Sequence, residues 1–322
     1  MIEEMCPGLH RIEVPLPKNP LKSLNSYVIE GQERNLIVDT GMNRPECLNA
    51  MRAGLAQLDL ELARTDFFIT HLHADHLGLV SELAADSSKV YFNQPDADVI
   101  CAGGFWEYMV DFARANGFPE DEIEQALLRH PGYKYSPKSV PEFTIVGEGD
   151  TIPVGHYTFE CVETPGHTRG HMCLYEREKR ILVSGDHILG DITPNISQWD
   201  TEDNTLEQYL TSLDKTYALD VDLVLPGHRK AFTDCKARIR ELQHHHQVRA
   251  NEVLSILENG GKNAYQVASR MSWDIECDSW ELFPITQKWF ATGEALAHLK
   301  YLEGKQMVQG EMQKGKILFS LK

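Results

Sequence analysis

Thr70-His71-Leu72-His73-Ala74-Asp75-His76-Leu77-Gly78 is the stretch on which the reading of this chain turns. Four metal-capable side chains fall between positions 71 and 76, directly after the apolar run Phe67-Phe68-Ile69. A run rich in aromatic and β-branched residues reads as a buried strand, and a strand end is a rigid place from which to hold ligands. Imidazole and carboxylate are what a zinc-like ion takes, at about 2.0–2.2 Å. From Asp75 to Leu83 the sequence reads as the start of a helix, with a carboxylate at its N-terminus where the helix dipole favours it. A solvated, histidine-rich turn is the plain alternative. One histidine would favour that alternative; four donors at a strand–helix junction do not.

Outward from this stretch the chain alternates strands and helices. Residues 9–14, 26–30 and 35–39 read as short strands separated by Pro-, Asn- and Gly-containing turns. Leu48, Met51, Leu55 and Leu58 fall at helical spacing, so 44–58 should be an amphipathic helix on that sheet. A strand at 89–92 follows the metal loop. The alternation points to an α/β fold, a mixed sheet faced by helices. Residues 95–135 break the pattern: 96–115 and 120–129 look helical, the second closed by His130-Pro131-Gly132. Such an insertion is placed to overhang the site. Trp106, Tyr108 and Phe112 are candidates for lining a substrate pocket there, or for the insertion's own core.

Further strands read at 143–146, at 157–162 running into Thr164-Pro165-Gly166-His167-Thr168, at 172–175, and at 181–184 leading to Asp186. Leu206, Tyr209, Leu210, Leu213 and Tyr217 share one face of a helix at 205–217, and a buried strand at 221–225 delivers His228. A long helix runs from 234 through His244-His245-His246 to about 257, and Gly260-Gly261 ends it. Three adjacent histidines point in three directions around a helix, so they cannot serve one metal. They read as a polar stretch of a linking helix, one of them within range of the rim of the site. Helices at 264–271 and 287–302, then strands at 306–308 and 316–321 around a turn, follow in the order of a winged helix.

Composition narrows the class. With 322 residues the chain is long enough for two domains. Its 31 basic and 48 acidic residues give a net charge of −17, which disfavours nucleic acid as a partner because Lys and Arg supply most non-specific affinity for phosphates. Seven scattered cysteines without a Cys-x-x-Cys argue against a disulfide framework or a zinc knuckle. The N-terminus lacks an apolar core, and no run approaches the ~18–20 apolar residues of a membrane span. A cytoplasmic protein without membrane partners is the expectation.

His-x-His-x-Asp-His resembles the signature of the metallo-β-lactamase superfamily, and the resemblance extends over about residues 9–232. Val38-Asp39-Thr40-Gly41 is similar to that family's early strand and turn. Thr164-Pro165-Gly166-His167-Thr168 resembles its second metal loop, Ser184-Gly185-Asp186 its bridging-aspartate strand, and Leu225-Pro226-Gly227-His228 its last ligand loop. The resemblance implies a four-layer αβ/βα sandwich over residues 1–235, with the helical insertion at about 95–135. A linking helix and winged-helix domain would follow over 236–322, as in one branch of the family. It also implies a dinuclear centre: His71, His73 and His167 on one ion, Asp75, His76 and His228 on the other, Asp186 bridging. Zn²⁺ is the first expectation for two divalent ions on such a set; Fe or Mn suits the same donors.

Asp75 and Asp186 are accordingly the expected catalytic carboxylates. The reaction implied is attack by a metal-bridging hydroxide on a small acyl ester, thioester or lactone. Asp39 is expected behind the ligands, orienting an imidazole through its free N–H, or else capping a turn. His171 and His187 sit beside ligand loops, as donors to a substrate or as packed, hydrogen-bonded groups. Arg169 pairs with an anionic substrate group or forms a surface salt bridge. Glyoxalase II resembles this metal set, but a winged helix replaces its glutathione-binding domain, which puts a glutathione thioester in doubt. Two alternatives stand beside the acyl hydrolase. One is a single-strand nuclease or phosphodiesterase of the same fold; the other is a winged-helix DNA-binding regulator with a metal-binding sensor domain. Balanced charge on the third C-terminal helix fits dimerisation or pocket closure better than nucleic-acid binding.

Overall fold

Two mixed sheets organise the chain in the computed structural model, which describes residues 1–137, 139–198, 200–201 and 203–322. The first holds seven strands in sequential order: β1 (Ile2–Cys6), β2 (Leu9–Pro15), β3 (Ser23–Ile29), β4 (Asn35–Val38), β5 (Thr65–Phe68), β6 (Val90–Phe92) and β7 (Phe143–Ile145). The second comprises β8 (Thr151–Val154), β9 (Tyr157–Glu163), β10 (Met172–Glu176), β11 (Ile181–Gly185) and β12 (Leu223–Pro226), in the order β12-β11-β10-β9-β8. The helices before β7 are α1 (Pro45–Gln57), α2 (Ala74–Leu77), α3 (Val80–Leu83), α4 (Gln94–Ala102), α5 (Phe105–Ala115), α6 (Glu120–Arg129) and α7 (Pro131–Tyr135). Then come α8 (Thr205–Tyr217), α9 (Cys235–Leu257), α10 (Ala264–Ala268) and α11 (Ile285–Gly304), and a hairpin, β13 (Val308–Gln313) and β14 (Lys316–Leu321), ends the chain.

Side-chain alternation along the strands produces the layers. Tyr27, Ile29, Leu36, Val38 and Phe68 point toward the second sheet and pack on Phe159, Met172, Leu174 and Val183. Their neighbours Val28, Ile37 and Phe67 point the other way, against Cys47, Met51 and Leu55 of α1. On the far side, Val162, Cys173 and Leu182 pack on α8 and on Cys235, Ile239 and Leu242 of α9. The order is therefore helix, sheet, sheet, helix. Strands β4 and β5 are parallel, as are β11 and β12, while β9 and β11 both run antiparallel to β10. The loops that follow β4 and β5 therefore leave one end of the first sheet together, and those that follow β9, β11 and β12 leave one end of the second.

The C-terminal residues form helices and a hairpin around a further core that includes Val253, Leu257, Val267, Leu296, Leu299 and Phe319. Ala297 of α11 reaches the core under the second sheet. Trp289 packs with Met109, Phe118 and Ile123 of the insertion. Helix α11 is thus wedged between insertion and sandwich. Among the described residues no helix is long and apolar enough to cross a membrane.

Several local expectations are corrected. The helix expected from Asp75 to Leu83 is two single turns, parted where Leu79 leaves helical geometry at φ −98°, ψ 1°; Gly78 stays helical, and a Cβ there would lie 2.7 Å from both Asn43 N and Gly41 O. The helix read over 96–115 divides at Gly103-Gly104, where both residues have positive φ. His130-Pro131-Gly132 opens a helix instead of only closing one, since proline suits the first turn. Strands β1 and β8, unassigned from sequence, occupy sheet edges.

Candidate metal centre

Strand ends deliver the donors. Nε2 of His71 and Nε2 of His167 lie 3.0 and 2.9 Å from Nδ1 of His73. Nε2 of His228 is 3.4 Å from Asp75 and 3.5 Å from Asp186, and Nε2 of His76 is 3.6 Å from Asp186. Asp186 also lies 3.5 Å from Nε2 of His167, so its carboxylate stands between the two clusters. Close approach by Gly227 permits this: a Cβ there would come within 2.7 Å of Asp186 and 2.9 Å of His76.

Each of four imidazoles is held from behind, which fixes the nitrogen that faces inward. Nδ1 of His71 meets the Thr70 hydroxyl at 3.0 Å, and Nδ1 of His76 meets Asp39 at 2.7 Å. Nδ1 of His167 faces the Asn195 carbonyl at 2.8 Å, and Nδ1 of His228 the Ser23 carbonyl at 2.7 Å. Asp39 also accepts from the Thr70 amide and hydroxyl, at 2.9 Å each. It sits at φ 61°, the left-handed region that aspartate tolerates better than most residues.

The donor set fits divalent ions. Nε2 of His76, Nε2 of His228 and Oδ1 of Asp186 are buried with no hydrogen-bond partner among the described residues. Buried polar atoms are ordinarily satisfied, and these three converge. Three overlapping groups, His71/His73/His167, His71/His76/Asp186 and Asp75/His76/His228, each bring their ligand atoms within 4.8 Å of one another. That arrangement is consistent with a dinuclear metal site. Burial, aided by His167, pushes His73 down to about 3, which leaves a neutral imidazole free to ligate. Burial also depresses His228, but Asp186 and Asp75 overcome it and raise the group to about 10. The carboxylates thus create a potential that favours a cation there.

The other candidates fall outside the cluster. His171 is buried, its Nδ1 on the Thr164 hydroxyl at 2.8 Å and its Nε2 accepting from the Asp186 amide at 3.1 Å, so it supports the backbone of Asp186 and does not line the cavity beside the cluster. His187 faces Thr216 at 3.0 Å on the side of α8. Arg169 pairs with Asp203 at 2.6 Å at the surface. Tyr108 is 46% exposed and stacks on Phe112, and neither lines the cavity beside the metal cluster; Trp106 does. His246 is buried against Tyr209 and His298, away from the rim.

No local pattern in the sequence marks Asp96. Its buried carboxylate accepts from the Leu72 amide at 2.9 Å, the Thr168 hydroxyl at 2.8 Å and the Gly170 amide at 2.7 Å, clamping the two metal loops together. Burial raises its pKa to about 6, against those donors. Asp96→Ala strands three donors, each worth about 1–3 kcal/mol. Urea denaturation should show a loss of about 3 kcal/mol or more, with Asp96→Asn intermediate.

A crystal structure of a metallo-beta-lactamase family protein from Thermus thermophilus matches with a TM-score of 0.82 and 27% identity, over 99% of this chain and 100% of that one. The "Probable metallo-hydrolase YqjP" of Bacillus subtilis is 25% identical over 308 residues, 91% of this chain and 92% of the relative. An "Atrochrysone carboxyl ACP thioesterase" of Aspergillus fumigatus is 25% identical over 264 residues, 79% and 69% of the two. The chain spans 61% of the length of the "Lactamase-like protein aptB" of Emericella nidulans, to which it is 26% identical over 242 residues. The family profile described as "Metallo-beta-lactamase superfamily" matches residues 20–228, the span that carries every donor above. The chain belongs to the metallo-beta-lactamase superfamily and is a metal-dependent hydrolase.

Proposed function

We propose that the chain hydrolyses a carbonyl ester or thioester with an apolar acyl part. In this reading His71, His73 and His167 hold one ion, Asp75, His76 and His228 a second, and Asp186 is shared. The observation that carries the substrate class is the cavity onto which the clusters open. It measures about 1210 Å³, with His73, Asp75, His167 and Asp186 among its lining residues. Phe105, Trp106 and Met109 of α5, Leu189 and Ile192, and Ile285 and Phe290 of α11 supply apolar walls. Such walls reward an acyl chain by about 0.8 kcal/mol per buried methylene. The named activity of the Aspergillus thioesterase agrees with this choice.

When bound, a pair of divalent ions, with Zn²⁺ the first candidate, supplies a water of lowered pKa and Lewis acidity toward a carbonyl. The chain's own residues do the rest. Asp75 and Asp186 provide the negative potential. Asp39, Thr70 and the carbonyls of Ser23 and Asn195 fix the imidazoles, and the insertion and α11 restrict water.

We read the last three helices and the hairpin as a winged helix that walls the pocket and offers a dimer contact. Lys288 supports this over a nucleic-acid reader, being 3% exposed and paired with Glu122 at 2.9 Å. A phosphodiester is the second reading, favoured by cations on one rim. Lys18, Arg44 and Lys134 line the cavity there, the latter two 4.9 and 5.2 Å from the Tyr135 ring. A panel of N-acetylcysteamine thioesters, p-nitrophenyl esters, lactones and bis-p-nitrophenyl phosphate separates the readings. Thioester or ester turnover is expected, lost on chelation, with kcat/KM rising at least about tenfold from acetyl to octanoyl. Cleavage of the phosphodiester alone would overturn the acyl reading.

A further inference from the structure

We propose that Glu294, in the C-terminal helix α11, is a positioning residue for His167. His167 is the one imidazole of the four held from behind, among the described residues, whose acceptor is tied to that helix. Thr70, Asp39 and Ser23, which serve His71, His76 and His228, all lie in the first sheet or the loops at its edge. Asn195, whose carbonyl serves His167, lies in the segment between β11 and α8, outside any helix or strand.

That segment is hung on α11. Asn195 Nδ2 donates to Glu294 at 3.1 Å, and the Gln198 amide donates to the Gly293 carbonyl at 3.0 Å. The Glu294 carboxylate accepts and so takes the Nδ2 end of the amide, while the Ser197 hydroxyl donates to Asn195 Oδ1 at 2.5 Å. Glu294 is 13% exposed at its side chain, with Nε of Arg249 at 3.7 Å. Arg249 is itself anchored over the Trp273 ring at 4.4 Å and on the Ser272 carbonyl. A chain of contacts therefore runs from Arg249 through Glu294 and Asn195 to Nδ1 of His167. By holding the carbonyl in place, it keeps Nε2 of His167 turned toward His73. Hydrogen bonds behind metal-binding imidazoles are worth about 10–100-fold in affinity.

The inference rests on the proposed ligand roles of His71, His73 and His167, and its test separates the two. Full-length chain, stripped of metal, is titrated with Co²⁺ while the visible spectrum and the bound stoichiometry are recorded. For Glu294→Ala the His71/His73/His167 group should bind about 10–100-fold more weakly with an altered spectrum, and the Asp75/His76/His228 group should be unchanged. Glu294→Gln keeps an acceptor for Asn195 and should restore most of the affinity. Asn195→Ala cuts the same link without exposing Arg249, and should reproduce the Glu294→Ala result even where that variant folds poorly. Wild-type spectrum and affinity in both alanine variants would overturn the positioning role. Equal weakening of both groups would do so too, and wild-type protein that binds no ion would overturn the ligand roles themselves.

Discussion

Asp75→Ala is expected to cut kcat/KM for an acyl thioester by about a thousandfold or more and to reduce bound metal from two ions per chain toward one. Asp75 is buried, and its carboxylate lies 3.4 Å from Nε2 of His228. Its negative charge is sustained there against burial by His228 and His76. Without it, the group it shares with those two imidazoles retains only the Asp186 carboxylate, which stands between both clusters. Loss of one ion's electrostatic work is worth several kcal/mol, and each 1.36 kcal/mol is a factor of ten. His73→Ala should act similarly through the other group. Elemental analysis beside kcat/KM checks both, and an Asp75→Ala protein that keeps two ions and full turnover would sink the assignment.

Chelation carries the second large effect, on stability. Removing the ions leaves Nε2 of His76, Nε2 of His228 and Oδ1 of Asp186 buried without hydrogen-bond partners among the described residues. An ion present at a thousandfold its dissociation constant stabilises the native state by about 4 kcal/mol, so the stripped protein should melt about 8 °C lower. The gap should widen as pH rises. In the absence of metal His228 titrates at about 10, above its unfolded value of about 6.5. The proton therefore stabilises the stripped native state fully below about 6.5, and that contribution is lost as pH climbs toward 10. Metal must expel the same proton, so apparent affinity should rise up to about tenfold per pH unit between about 6 and 9. Melting curves of loaded and stripped protein at about pH 6 and pH 8.5 measure this directly. A gap that narrows toward alkaline pH would contradict it.

The sequence was most legible where chemistry is packed locally. His71, His73, Asp75 and His76 lie within six residues at a strand end, and the apolar run Phe67-Phe68-Ile69 before them marks the buried strand β5. His167, Asp186 and His228 each close a short motif. Contacts between distant segments left no such trace. Asp96 bonds Thr168, 72 positions away, and Asn195 meets Glu294, 99 positions away. Neither pair carries a local pattern, because a buried carboxylate looks like a surface one until the fold supplies its donors. Tyr108, outside the lining of the cavity beside the cluster, is a related case: helical periodicity marks a face but not what covers it. Short edge strands such as β1 and β8 are set by a partner strand more than by their own residues. Helix breaks at Leu79 and Gly103-Gly104 are matters of backbone torsion, which spacing alone does not reveal.

The most direct measurement is a titration of chelated, full-length protein with Zn²⁺, following octanoyl-N-acetylcysteamine hydrolysis against ions bound per chain. Two ions should bind, and turnover should climb mainly as the second equivalent is taken up. Full hydrolysis by the stripped protein, or two bound ions without turnover of any carbonyl ester or thioester, would contradict a dinuclear acyl hydrolase.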